Sequence, residues 1–220
     1  MAGFNIDDLN SHHLPAFLLH LREIGIVEPR LLKAIEKTDR RHYIPDLSTD
    51  EMWLDRDHAI GFGQNAGSLS IVATMLNALA PQSHHKVLDV GFGCGYQTAL
   101  LARLSRRVYG LERVRPLTRL AEKNLWNDGL RNVTLFSDDG HKGWPAQAPF
   151  DAIVVTAACE AVPSALLDQL SEGGRLVAPI DEGHGEEAIT LFLKSDEGIT
   201  SKIIGRGEFP PLVPGRVSDD

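Results

Sequence analysis

Cysteine is nearly missing from this chain: Cys94 and Cys159 are the two in 220 residues. Two cysteines so far apart make neither a disulfide framework nor a zinc-ligand spacing, which fits a reducing compartment, and a cytoplasmic location is expected. No apolar run approaches the ~18 residues of a membrane span. The opening Met1-Ala-Gly-Phe-Asn-Ile-Asp-Asp8 lacks the basic-then-apolar order of a secretion signal. A surplus of positive charge is lacking too: the formal net charge is −8 and no basic stripe stands out. Neither a nucleic-acid nor a membrane partner is therefore expected. Repeats and low-complexity tracts are absent. The pairs His12-His13 and His84-His85 have no acid or cysteine set beside them, so no metal site is expected. What remains, 43% hydrophobic and 24% charged residues, is enough for one substantial core with an extension.

The stretch with specific chemistry is Lys86-Val-Leu-Asp-Val-Gly-Phe-Gly-Cys-Gly-Tyr96. Val87, Leu88 and Val90 form a continuous apolar run suited to a strand buried on both faces. Gly91, Gly93 and Gly95 allow a sharp turn and a close approach of ligand to backbone. A helix from about Tyr96 to Arg103 then aims its first amides into that space. The dinucleotide fingerprint needs glycine at the sixth position, where this chain has Tyr96, and this disfavours a nicotinamide cofactor. Gly-x-Gly-x-Gly after an acid-terminated strand is the pattern of class I methyltransferases that bind S-adenosyl-L-methionine. Further strand ends agree. Val108–Leu111 runs into Glu112, placed to accept from both ribose hydroxyls, and Val133–Phe136 runs into Ser137-Asp138-Asp139-Gly140, where an acid meets the adenine amino group.

Along the chain, residues 11–26 show helical spacing with Leu14, Phe17, Leu18 and Leu21 on one face. A second helix is expected from Pro29 to about Lys37. Residues 39–57 read as irregular and polar, and Ala59–Ser68 as a packed glycine-rich loop. A helix over Ser70–Leu79 follows. From Lys86 on, strands and helices alternate: a helix over Pro116–Asp128, strands at Asp151–Val155 and Arg175–Ala178, and a helix near Pro163 between them. Strands at Ala188–Leu193 and Ser201–Ile204 complete an antiparallel edge. The expected fold is α/β, Rossmann-like and doubly wound, with a mostly parallel seven-stranded sheet and an N-terminal helical extension. Residues 1–80 make the extension and the acceptor-side loop, residues 81–220 the cofactor-binding core, and the two form one compact unit. Ligand is expected beyond the carboxyl ends of the first four strands.

With these positions laid out, the chain resembles the protein-L-isoaspartate O-methyltransferases over nearly its whole length. The matching pieces are Ala59-Ile-Gly-Phe-Gly-Gln64, Val87 to Gln97, Tyr109-Gly-Leu-Glu-Arg-Val-Arg-Pro-Leu117, Asp139-Gly140, Gly143-Trp-Pro145, Ala148 to Ala158, Gly173-Gly-Arg-Leu-Val177 and Phe209-Pro-Pro-Leu-Val213. The resemblance implies S-adenosyl-L-methionine as cofactor and an isoaspartyl-containing protein or peptide as acceptor, a protein-repair reaction. Gly91, Gly93, Gly95, Glu112, Asp139 and Gly140 carry over as the cofactor pocket, with Asp89 supporting the glycine loop through backbone amides. The family continues its Gln with Thr-Ile-Ser-x-Pro, whereas here Gln64 is followed by Asn65-Ala66-Gly67-Ser68-Leu69. Gln64, Asn65 and Ser68 are the candidate catalytic residues on the acceptor side, Ser68 being the nearest hydroxyl. A different carboxylate acceptor and a catalytically silent cofactor-binding protein stay open, as do monomer and homodimer.

A main-chain α-carboxyl titrates at roughly 3.3–3.7 and is ionised near neutral pH, so methyl transfer to it needs no general base. What the protein must supply is alignment and drying, for which residues 59–69 and 209–214 are the expected walls. Cys94 reads as a small filler and Trp144 as a packing anchor.

Overall fold

The computed structural model describes residues 14–183 and 185–217. Two helices come first, α1 (Leu14–Glu23) and α2 (Pro29–Lys37), the second started by its proline and capped by the Glu28 carboxylate. Phe17 and Leu21 of α1 are buried, as the spacing predicts; residues 11–13 of the expected helix and the His12-His13 pair lie outside the described residues. After a 3-10 turn at Arg40–His42 come two short strands, β1 (His58–Gly61) and β2 (Gln64–Ala66), and the helix α3 (Leu69–Leu79).

The core sheet is built from β3 (Lys86–Val90), β4 (Arg107–Glu112), β5 (Val133–Ser137), β6 (Phe150–Val155), β7 (Leu170–Ile180), β8 (Glu187–Ser195) and β9 (Gly198–Gly207). Their spatial order is β5-β4-β3-β6-β7-β8-β9. The first five are parallel, and β8 and β9 close the sheet in antiparallel pairing. The helices α4 (Tyr96–Leu104), α5 (Arg115–Asn127) and α6 (Ser164–Asp168) make the crossovers after β3, β4 and β6.

Alternation along the strands divides the interior into two apolar layers. Val87, Val108, Ala152, Val154 and Val177 face the layer that joins α1 to α5. Leu88, Val90, Leu111, Ile153 and Val155 face the other, which α6 and the segments around Trp144 and Leu212 cover. The sheet is thus thickly covered on one face and thinly on the other. Trp144 packs edge-on against Tyr109 with ring centroids 5.5 Å apart, the anchoring part expected of it.

Two segments differ from the sequence reading. Residues 59–68 are not a loop: β1 and β2 pair as an antiparallel hairpin across the two-residue turn Phe62-Gly63. Both turn residues have positive φ, the hand that matches strand twist, but that turn usually announces itself as Asn-Gly, and Phe62 hides it. The strand expected at Arg175–Ala178 begins at Leu170, because the ladder to β6 skips from Leu170 to Arg175 and the intervening residues bulge.

The N-terminal extension and the helices α4 and α5 share polar ties as well as apolar packing. Tyr43 Oη donates to Asp128 Oδ2 at 2.5 Å, and Arg103 Nη2 reaches the same oxygen at 2.6 Å. Asn124 Nδ2 donates to the carbonyls of Tyr43 at 3.2 Å and Cys94 at 3.1 Å, so one side chain of α5 holds both the extension and the glycine loop. Tyr43→Phe deletes a bond to a carboxylate away from solvent, and a stability loss of about 1.5–3 kcal/mol is expected in urea denaturation. An unchanged midpoint and slope would show that the tie contributes nothing.

Candidate active site

Where β3 ends, the neighbouring crossovers leave in opposite directions, and a crevice opens at the switch between β4 and β6. A cavity of about 400 Å³ occupies it, within the size range of small-molecule sites. Its walls come from the ends of β3 (Val90, Gly91), β4 (Leu111, Glu112) and β6 (Thr156), from Gly140 after β5, from the hairpin and from residues 208–213.

The glycine loop supplies one wall by being bare. A β-carbon on Gly91, at φ +85°, would stand 2.8 Å from Thr156 Oγ1, and one on Gly93, at φ +54°, would stand 2.9 Å from Ile60 Cδ1. Thr156 Oγ1 in turn donates to the Gly91 carbonyl at 2.5 Å, pinning the loop to β6. Gly95 serves packing instead, since a β-carbon there would press on Ala121 of α5, and Gly95 is not among the cavity-lining residues.

Glu112 is buried and lines the cavity. Its Oε2 accepts from the Gly93 amide at 3.1 Å and its Oε1 from the Val114 amide at 2.9 Å. Burial raises its pKa, and the amides of Val114, Gly93 and Arg113 pull the other way. Three amides do not exhaust the two carboxylate oxygens, so acceptor capacity remains at the cavity wall. Gln97 adds to it. Its Nε2 is fixed by Asp89 Oδ1 at 3.0 Å, while its buried Oε1 has no partner in the protein and the residue lines the cavity.

Besides Gly95, three expected site residues sit elsewhere. Asp89 does not touch the backbone amides of the glycine loop; its oxygens accept from Gln97 and, at 2.7 Å, from Thr98 Oγ1, both on α4. It shares the strand face of Val87, pointing under the helix rather than into the cavity. Asp139 also stays outside the lining. Its oxygens accept from the amides of His141 at 2.9 Å and Gly215 at 2.9 Å and meet His141 Nδ1 at 3.0 Å. Burial works against the charge on Asp139, but those partners prevail and hold its carboxyl below the usual range. Gly140 does line the cavity, where a β-carbon would collide with Val90. The third is Ser68, which begins α3 with its amide on Asp57 Oδ1 at 2.9 Å and its hydroxyl 3.4 Å from Ser70 Oγ; it does not line the cavity.

Gln64, Asn65 and Gly67 do line it. A β-carbon at Gly67 would meet nothing within 4 Å, and its φ is ordinary, so glycine there is not forced by geometry. The sequence reading missed Arg40 and Asp57. Asp57 lines the cavity, and with Asp55, whose Oδ1 accepts from the Ser70 amide at 2.8 Å, it caps α3 from a distance. Arg40 is wholly buried, donating to the carbonyls of Leu54 at 3.4 Å and Gly67 at 3.3 Å with its guanidinium 5.6 Å over the Tyr96 ring. Burial lowers its pKa. Both lie in the stretch that composition marks as polar and irregular, where an isolated charge reads as solvated.

The Cys94 thiol is pushed up to about 11 by burial, which leaves no thiolate nucleophile at neutral pH. No histidine lines the cavity, and among the described residues no three ligating side chains cluster for a metal.

Comparison with known proteins points in one direction. The family model described as Protein-L-isoaspartate(D-aspartate) O-methyltransferase matches residues 13–216. A protein-L-isoaspartate O-methyltransferase of Caulobacter sp. (strain K31) is 41% identical over 202 residues, covering 92% of this chain and 93% of that one. One of Anaeromyxobacter dehalogenans is 43% identical over 190 residues, covering 86% of this chain and 90% of that protein. Among solved structures, a protein-L-isoaspartate O-methyltransferase superposes with a TM-score of 0.81 at 23% identity, covering 90% of this chain; this chain spans 65% of that one. A putative protein-L-isoaspartate O-methyltransferase from Plasmodium falciparum, in complex with S-adenosyl-L-homocysteine, gives 0.77 at 24% identity and covers 90% of this chain and 97% of that one. At such identities the two structures speak for the fold.

Burial pushes the Asp89 carboxyl up to about 6, against the lowering pull of Thr98 and Gln97 and with a small push from Glu112. In the unfolded chain the group titrates near 3.9. Between these values the folded protein holds a proton that the unfolded chain has lost. Asp89 therefore favours the fold most at low pH, and that contribution is lost as pH rises from about 4 to about 6, a change on the order of 3 kcal/mol. Asp89→Asn should remove this slope when stability is followed by denaturant melts across that window. A wild-type slope that survives the substitution would assign it to another group.

Proposed function

This chain belongs to the protein-L-isoaspartate(D-aspartate) O-methyltransferase family, and from that membership and the cavity we infer that it methylates the α-carboxylate of L-isoaspartyl residues in damaged proteins or peptides, with S-adenosyl-L-methionine as donor. The observation that carries this reading is the cavity itself: a bare glycine loop and a buried carboxylate on one side, the Gln64–Gly67 segment on the other.

The residues present fit the cofactor. Gly91 and Gly93 leave room where a β-carbon would close it, Glu112 offers carboxylate acceptors suited to ribose hydroxyls, and Gln97 Oε1 is a buried acceptor that no protein group occupies. When bound, S-adenosyl-L-methionine supplies an electrophilic methyl group on a sulfonium. Gly140 belongs to the same wall, whereas Asp89 and Asp139 support it from behind, Asp89 by fixing Gln97 and Asp139 by holding the chain at Gly215.

On the acceptor side, Gln64 and Asn65 line the cavity, as does the Phe209–Val213 segment. The acceptor carboxylate is already ionised at neutral pH, so the absence of a histidine or thiolate from the lining costs the reaction nothing. The chain's contribution is to orient the acceptor oxygen and to exclude water with Ile60, Ile71, Val72, Met75 and Leu117. The extension of residues 1–80 and the core of residues 81–220 act as one unit in this reading, because Ile60 of the former rests on Gly93 of the latter. The two free cysteines support a reducing, cytoplasmic setting.

Methyl incorporation from labelled S-adenosyl-L-methionine into a matched pair of isoaspartyl and aspartyl peptides tests the function, with turnover expected on the isoaspartyl peptide alone. Asn65→Ala should lower kcat/KM by about 10-fold or more, and Ser68→Ala should stay within about 2-fold of wild type. Labelling of both peptides, or of neither, would refute the assignment. The reverse order of the two variants would return the acceptor role to Ser68.

A further inference from the structure

Phe62 stands at the tip of the β1–β2 hairpin with φ +56°, and 61% of its surface is exposed. Turns of this hand favour Asn, Asp or Gly at that position, because a bulky side chain crowds its own backbone there. Phe62 in that conformation therefore costs the fold stability. It belongs to neither apolar layer and stacks on no aromatic ring among the described residues. A strained, exposed aromatic with no internal partner points to a contact made outside the chain.

Its position narrows what that contact is. The next residues, Gly63 to Gly67, line the cavity, so Phe62 stands beside its rim. The hairpin is held in place: Ile60, the bulged residue two positions earlier, is buried with its Cδ1 over Gly93. The segment Phe209–Val213, which lines the same cavity, is apolar and open as well, with Pro210, Pro211 and Val213 exposed and Val213 at 37%. The rim thus continues the cavity outward as an apolar surface on two sides. A small carboxylic acid contained in the cavity has no use for it, whereas the residues flanking an acceptor in a polypeptide must cross it.

We propose that Phe62 is a docking residue for the acceptor polypeptide, packing against the residues that flank the methylated position. The proposal rests on the methyl-transfer reading above and adds to it an aromatic grip on the flanking residues outside the cavity. Nothing reacts at Phe62; it supplies affinity, and it holds the flanks while the carboxylate enters.

Asn suits the left-handed turn position and has no ring, so Phe62→Asn separates the two effects. The melting temperature should rise by about 2–4 °C as the strain is relieved. The KM for an isoaspartyl decapeptide should rise by about 3–10-fold, with kcat and the Kd for S-adenosyl-L-methionine unchanged. The KM ratio should shrink toward one for a blocked single isoaspartyl residue, and Phe62→Tyr should behave as wild type. An unchanged decapeptide KM in Phe62→Asn overturns the proposal while leaving the methyl-transfer reading intact. So does a lowered melting temperature, which would make Phe62 a fold contact. Wild-type protein that methylates no isoaspartyl peptide overturns both.

Discussion

The Glu112 carboxylate holds the amides of Gly93 and Val114, and the shape of the site follows from that grip. A carboxylate taken out of water loses hydration, a loss that its partners must offset, and here the partners are backbone amides whose positions are thereby fixed. Gly93 is held in a left-handed turn that leaves space above it, and Ile60 fills part of that space. Ile60 is the bulged residue of the hairpin, so the strand carrying Gln64 and Asn65 is set by the same contact. One buried charge at the end of β4 thus orders the glycine loop directly and the acceptor wall at second hand.

The glycine loop, its strand and the strand ends beyond it were legible because their signals are local. An apolar run such as Val87–Val90 has few alternatives to a buried strand, and Gly91 and Gly93 answer to close contacts with Thr156 and Ile60. Seven strands in mostly parallel order followed from the alternation of elements, and the antiparallel edge was also readable. The direction of individual side chains was not. Asp89 and Asp139 have the residue type a ligand would want, yet both are spent on Gln97, Thr98, His141 and Gly215. Nothing in their spacing separates a carboxylate committed to the fold from one offered to a ligand.

The acceptor side was least legible because long-range partners build it. Ser68 reads as an available hydroxyl in the sequence, but Asp57, eleven positions earlier, takes its amide and fixes it at the start of α3. Arg40 reaches Gly67 across 27 positions. Such contacts leave no period in the sequence. The hairpin at Ala59–Ala66 was hidden for another reason: Phe62 breaks the local rule for its turn, and a broken rule beside a site is where function and foldability conflict.

Calorimetric titration of S-adenosyl-L-methionine into wild-type protein and Glu112→Gln tests the central claim most directly, with a melting curve of each to establish folding. Gln keeps the size of the side chain but removes its charge and one acceptor oxygen. Loss of a bond to a charged group predicts binding weaker by about 10-fold or more in a protein that still melts cooperatively. Affinity within about 2-fold of wild type would contradict the account, because the loop and its cofactor would then not depend on the Glu112 charge.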